Sequence, residues 1–235
     1  MSKIIACHQP NFLPYLGFFD KMKKCDVFVI RDEVLYVNKE YHNRNRIRIN
    51  GGNGFKWINV PVISLNDYIK HIKVKKDFCL KKKIWNGVLL NEIKSAYNGS
   101  KYFDEFFPEI ERIFDNGDDK LIELNMKVIN FLKEVFDINC EVVMASELGL
   151  KGENFCEGGD ASCDLANICK KLGGDVYLSG SGGRSYLNLG VFDNVGVEVE
   201  FQDYKHPVYK QKFPGFIPNM AAIDALFCVG GMPRA

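Results

Sequence analysis

The chain opens on a short apolar run, Ile4-Ile5-Ala6-Cys7, which breaks at His8-Gln9-Pro10. Pro10 and Pro14 exclude helix from the loop that follows and hold it extended. Gly17 then opens residues 18–24, where Phe18, Phe19 and Met22 form one helical apolar face. A second apolar run at 26–30 ends in Arg31-Asp32-Glu33. Two strand-like runs around one helix predict a βαβ unit. In open α/β sheets, ligands sit beyond the carboxyl ends of the strands. His8 and Asp32 each lie just past the end of a run, on that edge.

From 34 to 62 the pattern becomes β-like. Arg44, Arg46 and Arg48 alternate with Asn45, Ile47 and Ile49, and Asn50-Gly51-Gly52-Asn53-Gly54 is a strong turn signal. Residues 56–62 return as the partner strand of a hairpin. Alternation recurs at 69–74, with Lys70, His71 and Lys73 among apolar residues. Residues 78–136 read as mostly helical. Leu80, Ile84, Val88, Leu89 and Ile93 share one face, and aromatic and aliphatic stripes follow at 103–114 and 121–135. The sheet resumes at 141–144. Residues 158–161 precede a helix through Leu165, Ile168 and Leu172, stopped by Gly173-Gly174. A buried strand at 175–178 runs into Ser179-Gly180-Ser181-Gly182-Gly183-Arg184-Ser185-Tyr186, read as a flexible loop. A further strand at 197–201 and a last helix at 221–227, with Asn219 as cap, complete the chain. The pattern predicts one α/β domain over 1–235. It has a central, largely parallel, Rossmann-like sheet, a β-hairpin extension and a helical insertion at about 78–136.

Composition narrows the setting. At 235 residues the chain can bury one good core. A formal charge of +1 gives no reason to expect stable binding to nucleic acid or anionic lipid. The N-terminal apolar run is too short for a signal peptide, and no run is long enough to predict a membrane span. There are eight cysteines and no CxxC pair, which reads as free thiols in a reducing cytosol. Cys156, Cys163 and Cys169 cluster, but their spacing fits no zinc signature, and no metal is expected.

His8 suits general acid–base chemistry because its unperturbed pKa lies near neutrality; the alternative is a histidine that orders the proline-rich loop. His42 has the same chemistry, His71 falls on a solvated strand face, and the sequence leaves His206 undecided. Arg44 and Arg46 share one face of their strand and Asn43 and Asn45 the other. A planar arginine pair suits phosphate or carboxylate. The alternative is a solvated charged face, which applies most to Arg48. In the segment from Ser179, the glycines allow backbone N–H groups to approach an anion, with Arg184 adding charge, although no Walker ending is present. Asp32 and Asp224 can orient a base or bind an amine, or can cap a turn and a helix. No Gly-x-Ser-x-Gly elbow supports a serine triad.

Several stretches together resemble the WbqC-like family of bacterial proteins. They are His8-Gln9-Pro10-Asn11-Phe12-Leu13-Pro14-Tyr15-Leu16-Gly17-Phe18-Phe19, Asp26-Val27-Phe28, Asn43-Arg44-Asn45-Arg46-Ile47, Trp57 with Pro61-Val62, Leu124-Asn125, Tyr177-Leu178-Ser179-Gly180, Tyr186-Leu187, Tyr209-Lys210-Gln211 and Ile223-Asp224. They fall in family order across nearly the whole chain. Tyr15 stands where tryptophan is expected, and Cys7 where a branched aliphatic is usual. The family is typically encoded among genes for O-antigen and other surface glycans. The resemblance therefore implies a cytoplasmic transferase acting on a nucleotide-linked amino sugar, by acyl or aminoacyl transfer to its amine. In that scheme His8 accepts the amine proton and Asp32 orients His8 or the amine. Gln9, Asn11, Asn43, Arg44, Asn45, Arg46, Ser179, Gly180, Gly182, Gly183, Arg184, Tyr186, Gln211 and Asp224 supply substrate or phosphate binding. The partner is a nucleotide sugar. The cofactor stays open between an activated acyl donor and a nucleotide, and the oligomeric state is open.

The opening strand, histidine loop, helix and aspartate-ended strand also resemble nucleotidyltransferases with a His-x-Gly-His motif, including the pantothenate synthetase-like enzymes that form acyl adenylates. The second motif histidine is missing here, and Gly17 lies far from His8. Nucleotidyl transfer or adenylate formation is the alternative enzyme class, and a non-catalytic sugar-nucleotide-binding subunit is the third reading.

Overall fold

The structure, a computed structural model, describes residues 2–63, 66–80, 83–115, 117–149 and 161–233. In chain order the first elements are β1 (Ile4–His8), α1 (Leu16–Lys23), β2 (Val27–Ile30), β3 (Arg44–Arg48), β4 (Phe55–Asn59), β5 (Val62–Ile63), β6 (Lys73–Val74), β7 (Cys79–Leu80) and β8 (Lys83–Ile84). Helices α2 (Trp85–Tyr97), α3 (Phe103–Asp115) and α4 (Leu121–Val135) follow. The chain continues through β9 (Glu141–Met144), α5 (Ala161–Lys171), β10 (Val176–Ser179), α6 (Leu189–Asp193), β11 (Glu198–Phe201) and α7 (Ile223–Val229). It divides into two compact units. Unit one holds Met1–Gln9, Phe18–Glu33 and Ile138–Tyr204; unit two holds Pro10–Gly17, Val34–Asp137 and Lys205–Ala235.

Unit one is built on an all-parallel sheet of five strands, in the order β11-β10-β1-β2-β9. Strands buried on both faces need continuous apolar runs, which is why Ile4-Ile5-Ala6-Cys7 and Val27-Phe28-Val29-Ile30 show no alternation. Ile5, Cys7, Val27 and Val29 turn to one face, where α5 packs Leu165, Ala166, Ile168 and Cys169 among them. Phe28 turns to the other, where Phe18 of α1 meets it at 5.0 Å between ring centroids.

Unit two carries the β3–β4 hairpin, with Arg46 opposite Trp57 and Asn45 opposite Ile58. Its core includes an aromatic cluster in which Phe227 lies 5.2 Å from both Tyr97 and Phe103. Three buried asparagines order its loops. Asn45 Nδ2 donates to the carbonyls of Phe12 (3.2 Å) and Leu13 (2.7 Å). Leu13 has φ of 44°, in the left-handed region that a branched side chain disfavours, so these bonds help hold a strained turn. Asn125 Nδ2 donates to Pro10 O (3.0 Å) and His42 O (2.8 Å). Asn43 accepts from the Tyr36 hydroxyl and donates to Val60 O, both at 2.8 Å.

The structure departs from the pattern in several places. Residues 69–74 are not one strand: a 3-10 turn, Ile69–His71, precedes the short β6, and His71 pairs with Asp67 at 2.9 Å. Leu80 and Ile84 do not share a helix face with Val88, because they lie in β7 and β8 and the helix begins at Trp85. The segment after β10 is not a flexible loop but a 3-10 helix, Ser181–Ser185. Cys7, Cys25, Cys140, Cys169 and Cys228 are free thiols, whereas Cys163 is disulfide-bonded. Cys156 and residues 158–160, expected just ahead of the helix, lie outside the described residues. Among the described residues, no helix is long and apolar enough to cross a membrane.

Candidate functional site

Strand order fixes where unit one can work. From β1 the chain proceeds through β2 to β9 on one side, then returns to place β10 and β11 on the other. The order therefore reverses between β1 and β10. At such a switch the loops leave neighbouring strand ends in opposite directions and open a crevice. Ala6 pairs with Leu178, so His8 and Gly180, each two residues further on, leave the sheet side by side.

His8 is partly buried at this edge. Its Nδ1 lies 2.8 Å from the carbonyl oxygen of Gln9. A carbonyl only accepts, so Nδ1 carries the proton, and of the two neutral tautomers the contact selects the one with the acceptor on Nε2. Phe18 meets the imidazole edge-on at 4.9 Å, and the His8 carbonyl accepts from Arg31 N at 2.8 Å. The ring is thus held in one tautomer by its own loop.

Asp32 is buried, and its oxygens accept the Ser146 backbone N–H (3.0 Å) and hydroxyl (2.6 Å). Ser146 lies in the 3-10 turn Ala145–Glu147 that follows β9, so Asp32 ties the ends of neighbouring strands together. Arg31 beside it pairs with Glu33 and lies 3.7 Å from Asp164 of α5.

On the β10 side, Ser179 is buried and its hydroxyl donates to Gly180 O at 3.1 Å. A Cβ on Gly183 would fall 2.1 Å from that hydroxyl oxygen, so a larger residue would force Ser179 to shift. Gly180 and Gly182 have nothing within 4 Å of an added Cβ, so their backbone faces open space. Arg184 lays its guanidinium 4.4 Å above the Phe201 ring, at the end of β11. Tyr186 is exposed. Unit one therefore gathers His8, Gln9, Ser179, Gly180, Gly182, Gly183 and Arg184 at one stretch of sheet edge.

In unit two the Asn-Arg-Asn-Arg block divides its labour by strand alternation. Asn43 and Asn45 point inward, and their amides are taken by the loop carbonyls and the tyrosine described above. Arg44 and Arg46 share the opposite face with Trp57. The Arg44 guanidinium sits 4.3 Å from the Trp57 centroid and donates to Lys39 O. Arg46 sits 5.0 Å from Phe55 and donates to Asn219 O at 3.0 Å. The Nε of each arginine is buried with no hydrogen-bond partner among the described residues. Arg48 continues the row but is not a solvated residue: it is buried and donates to the carbonyls of Gly54, Pro214 and Gly215.

Asn11, Gln211 and Asp224 are buried in unit two. Asp224 Oδ2 accepts from the Tyr209 hydroxyl (2.7 Å) and Gln211 Nε2 (2.9 Å), so both side chains serve an internal network. Burial raises the Asp224 pKa, opposed by those hydrogen bonds, by Tyr97 and by Arg48. His42 is buried and its pKa is lowered to about 4 by that burial, which holds it neutral at physiological pH. Burial also lowers the pKa of His206, which rests against Phe216 at 5.5 Å. Among the described residues, no group of three His, Cys, Asp or Glu side chains is arranged to hold a metal ion.

The WbqC-like protein family model matches residues 9–233 of this chain. The chain belongs to that family. It is similar to the uncharacterized protein Rv1507c of Mycobacterium tuberculosis, 28% identical over 231 residues that cover 97% of this chain and 94% of that one.

Within this WbqC-like protein, sequence reasoning passed over Lys21, Arg31 and Ser146. Lys21 is buried in unit one, its Nζ donates to Cys7 O at 2.8 Å, and burial lowers its pKa to about 8. One signal was available: Lys21 lies three residues after Phe18, on the apolar side of α1, where a solvated lysine is not expected. Ser146 carried no local signal, because its role depends on β9 pairing with β2.

Proposed function

We propose that this protein is a transferase that acylates or aminoacylates the amine of a nucleotide-linked amino sugar, in the cytoplasmic stages of O-antigen or surface-glycan assembly. The observation that carries the reading is His8. It stands at the carboxyl end of β1, beside the strand-order reversal, in the tautomer that presents a proton-accepting Nε2. In the proposed step the sugar amine attacks the activated carbonyl of the donor. The new C–N bond forms as the bond to the donor's leaving group breaks, and His8 Nε2 takes the amine proton and returns it to the leaving group. The open backbone at Gly180 and Gly182, with Arg184, suits the phosphates of the sugar nucleotide. In unit two, the stacked Arg44–Arg46 pair, with unmatched Nε donors, is a second element suited to an anion. The five free thiols favour a reducing compartment, against which the disulfide at Cys163 stands alone among the described cysteines.

The parallel sheet with a small-residue turn at its reversal also favours a second reading, nucleotidyl transfer with formation of an acyl adenylate. A thermal-shift screen of nucleotides, nucleotide sugars and acyl-CoAs separates them, since a ligand of the native state raises Tm. Release of coenzyme A with an amino-sugar nucleotide supports acyl transfer. Pyrophosphate release from a nucleoside triphosphate and a carboxylic acid supports adenylation. Binding without turnover across all donors identifies a sugar-nucleotide-binding subunit. With an active donor found, His8→Gln lowers turnover by roughly a hundred- to ten-thousand-fold at unchanged Tm. Equal turnover in a folded variant sinks the assignment.

A further inference from the structure

The face of the β3–β4 hairpin that the arginines do not use borders a cleft within unit two. Ile47 and Lys56 are directly opposed on that face, and Ile49 continues the row. Helix α2 runs beside them. Its core stripe of Leu89, Leu90, Ile93 and Tyr97 turns inward and is buried. The wall facing the hairpin is made by Val88, Asn91, Glu92, Ser95 and Ala96. A cavity of about 640 Å³ remains between helix and hairpin, with Phe213 on a further side. That volume falls within the range of roughly 300–1,000 Å³ typical of small-molecule sites, and its walls are mostly carbon.

The charges at the cleft decide what it can hold. Lys56 Nζ lies 2.7 Å from Glu92 Oε1, bridging β4 and α2. An anionic head group beside Lys56 would also face the Glu92 carboxylate, and a cationic one beside Glu92 would face the Lys56 ammonium, so the neutralised pair attracts neither sign. A neutral head leaves the pair intact, with the Asn50 amide at the rim for hydrogen bonding. We propose that this cleft binds an uncharged ligand with a largely aliphatic body, an alkyl or acyl group of medium length on a neutral head. The site lies in unit two and uses neither His8 nor the strand edge of unit one, so it stands or falls separately from the transferase reading.

The test uses the full chain and N-phenyl-1-naphthylamine, an uncharged dye that fluoresces in apolar surroundings. Titration gives a saturable signal, and decanol displaces the dye at lower concentration than decanoate does. Ser95 is exposed on α2, so Ser95→Trp fills the cleft while Tm stays near the parent value. Its dye affinity falls roughly tenfold or more. Val88→Trp, entering from two turns earlier on α2, gives the same loss. The proposal is overturned by a non-saturable signal, by decanoate competing as well as decanol, or by both tryptophan variants binding dye like the parent.

Discussion

Gln211 Oε1 accepts the Arg48 Nε–H at 3.0 Å, and the same amide's Nε2 donates to Asp224 at 2.9 Å. One neutral side chain thus links a buried guanidinium to a buried carboxylate. The amide also exchanges two 2.9 Å bonds with the backbone of Ile217, so it is fully used. Removing it leaves the Arg48 Nε–H and one side of Asp224 without a partner away from water, although Arg48 keeps its carbonyl acceptors and Asp224 keeps Tyr209. Gln211→Ala should lower unfolding free energy by about 2–4 kcal/mol in denaturant titration, from two hydrogen bonds to buried charged groups. Gln211→Glu should be at least as damaging, because it sets a second carboxylate against Asp224. A variant of either kind within about 1 kcal/mol of the parent would show that the network contributes little.

Two glycines in the same 3-10 turn should respond in opposite ways. At Gly183 a methyl group would fall 2.1 Å from Ser179 Oγ and 3.0 Å from Leu187 Cδ1. Both neighbours sit in packed surroundings, so Gly183→Ala should cost about 1–3 kcal/mol. At Gly182 nothing lies within 4 Å, and Gly182→Ala should leave Tm unchanged. If ligand phosphate approaches this backbone, Gly182→Ala weakens nucleotide-sugar binding without touching stability, a split that calorimetry and thermal shift together resolve.

His42 should make the protein less stable in mild acid. The fold holds its pKa at about 4, against 6.5 in the unfolded chain, because protonation would charge a buried ring. Between these values the unfolded state binds the extra proton. The stabilising preference is therefore fully present above pH 6.5 and is lost as pH falls toward 4. Its upper bound is about 3 kcal/mol. His42→Gln keeps an acceptor for the Val37 N–H, which meets His42 Nδ1 at 3.3 Å. The drop in Tm from pH 7 to pH 5 should be smaller in this variant than in the parent; an equal drop means the acid sensitivity arises elsewhere.

Much of unit one was legible in its sequence. Continuous apolar runs at residues 4–7 and 27–30 fit strands covered on both faces, and that sets His8 at the carboxyl end of β1. The β3–β4 hairpin was equally plain, since alternation and the Asn50–Gly54 turn agree. What stayed hidden depends on contacts distant in sequence. The inward roles of Asn43 and Asn45 require knowing that carbonyls of the proline-rich loop and of Val60 arrive opposite them. Arg48 reads as one more member of an exposed row until residues 213–215 close over it. Asp32 reads as a candidate partner of His8, but its hydroxyl donor comes from Ser146, more than a hundred residues away. The 69–74 alternation misled because a 3-10 turn can mimic period two over so few residues.

Lys21 offers the sharpest contradiction between burial and charge, and hence a test of both. Its amine donates to Cys7 O, the one acceptor shown for it among the described residues. Burial lowers its pKa to about 8 from 10.5, so at pH 7 the folded chain carries a desolvated ammonium that the unfolded chain would hydrate. Between pH 8 and 10.5 the unfolded chain keeps a proton that the folded chain has released. Stability attributable to Lys21 therefore rises as pH climbs through that window. At pH 7 the penalty is at most about 3 kcal/mol, partly offset by the hydrogen bond to Cys7. Lys21→Met matches the stem in length and volume without the charge. It should raise Tm at pH 7, and its advantage over the parent should shrink as both are melted toward pH 10. Taking the difference between the two proteins cancels the titration of tyrosines and thiols common to both. A methionine variant that is less stable at pH 7 would mean that the Cys7 hydrogen bond outweighs the burial of charge, and that the ammonium is a structural strut for β1.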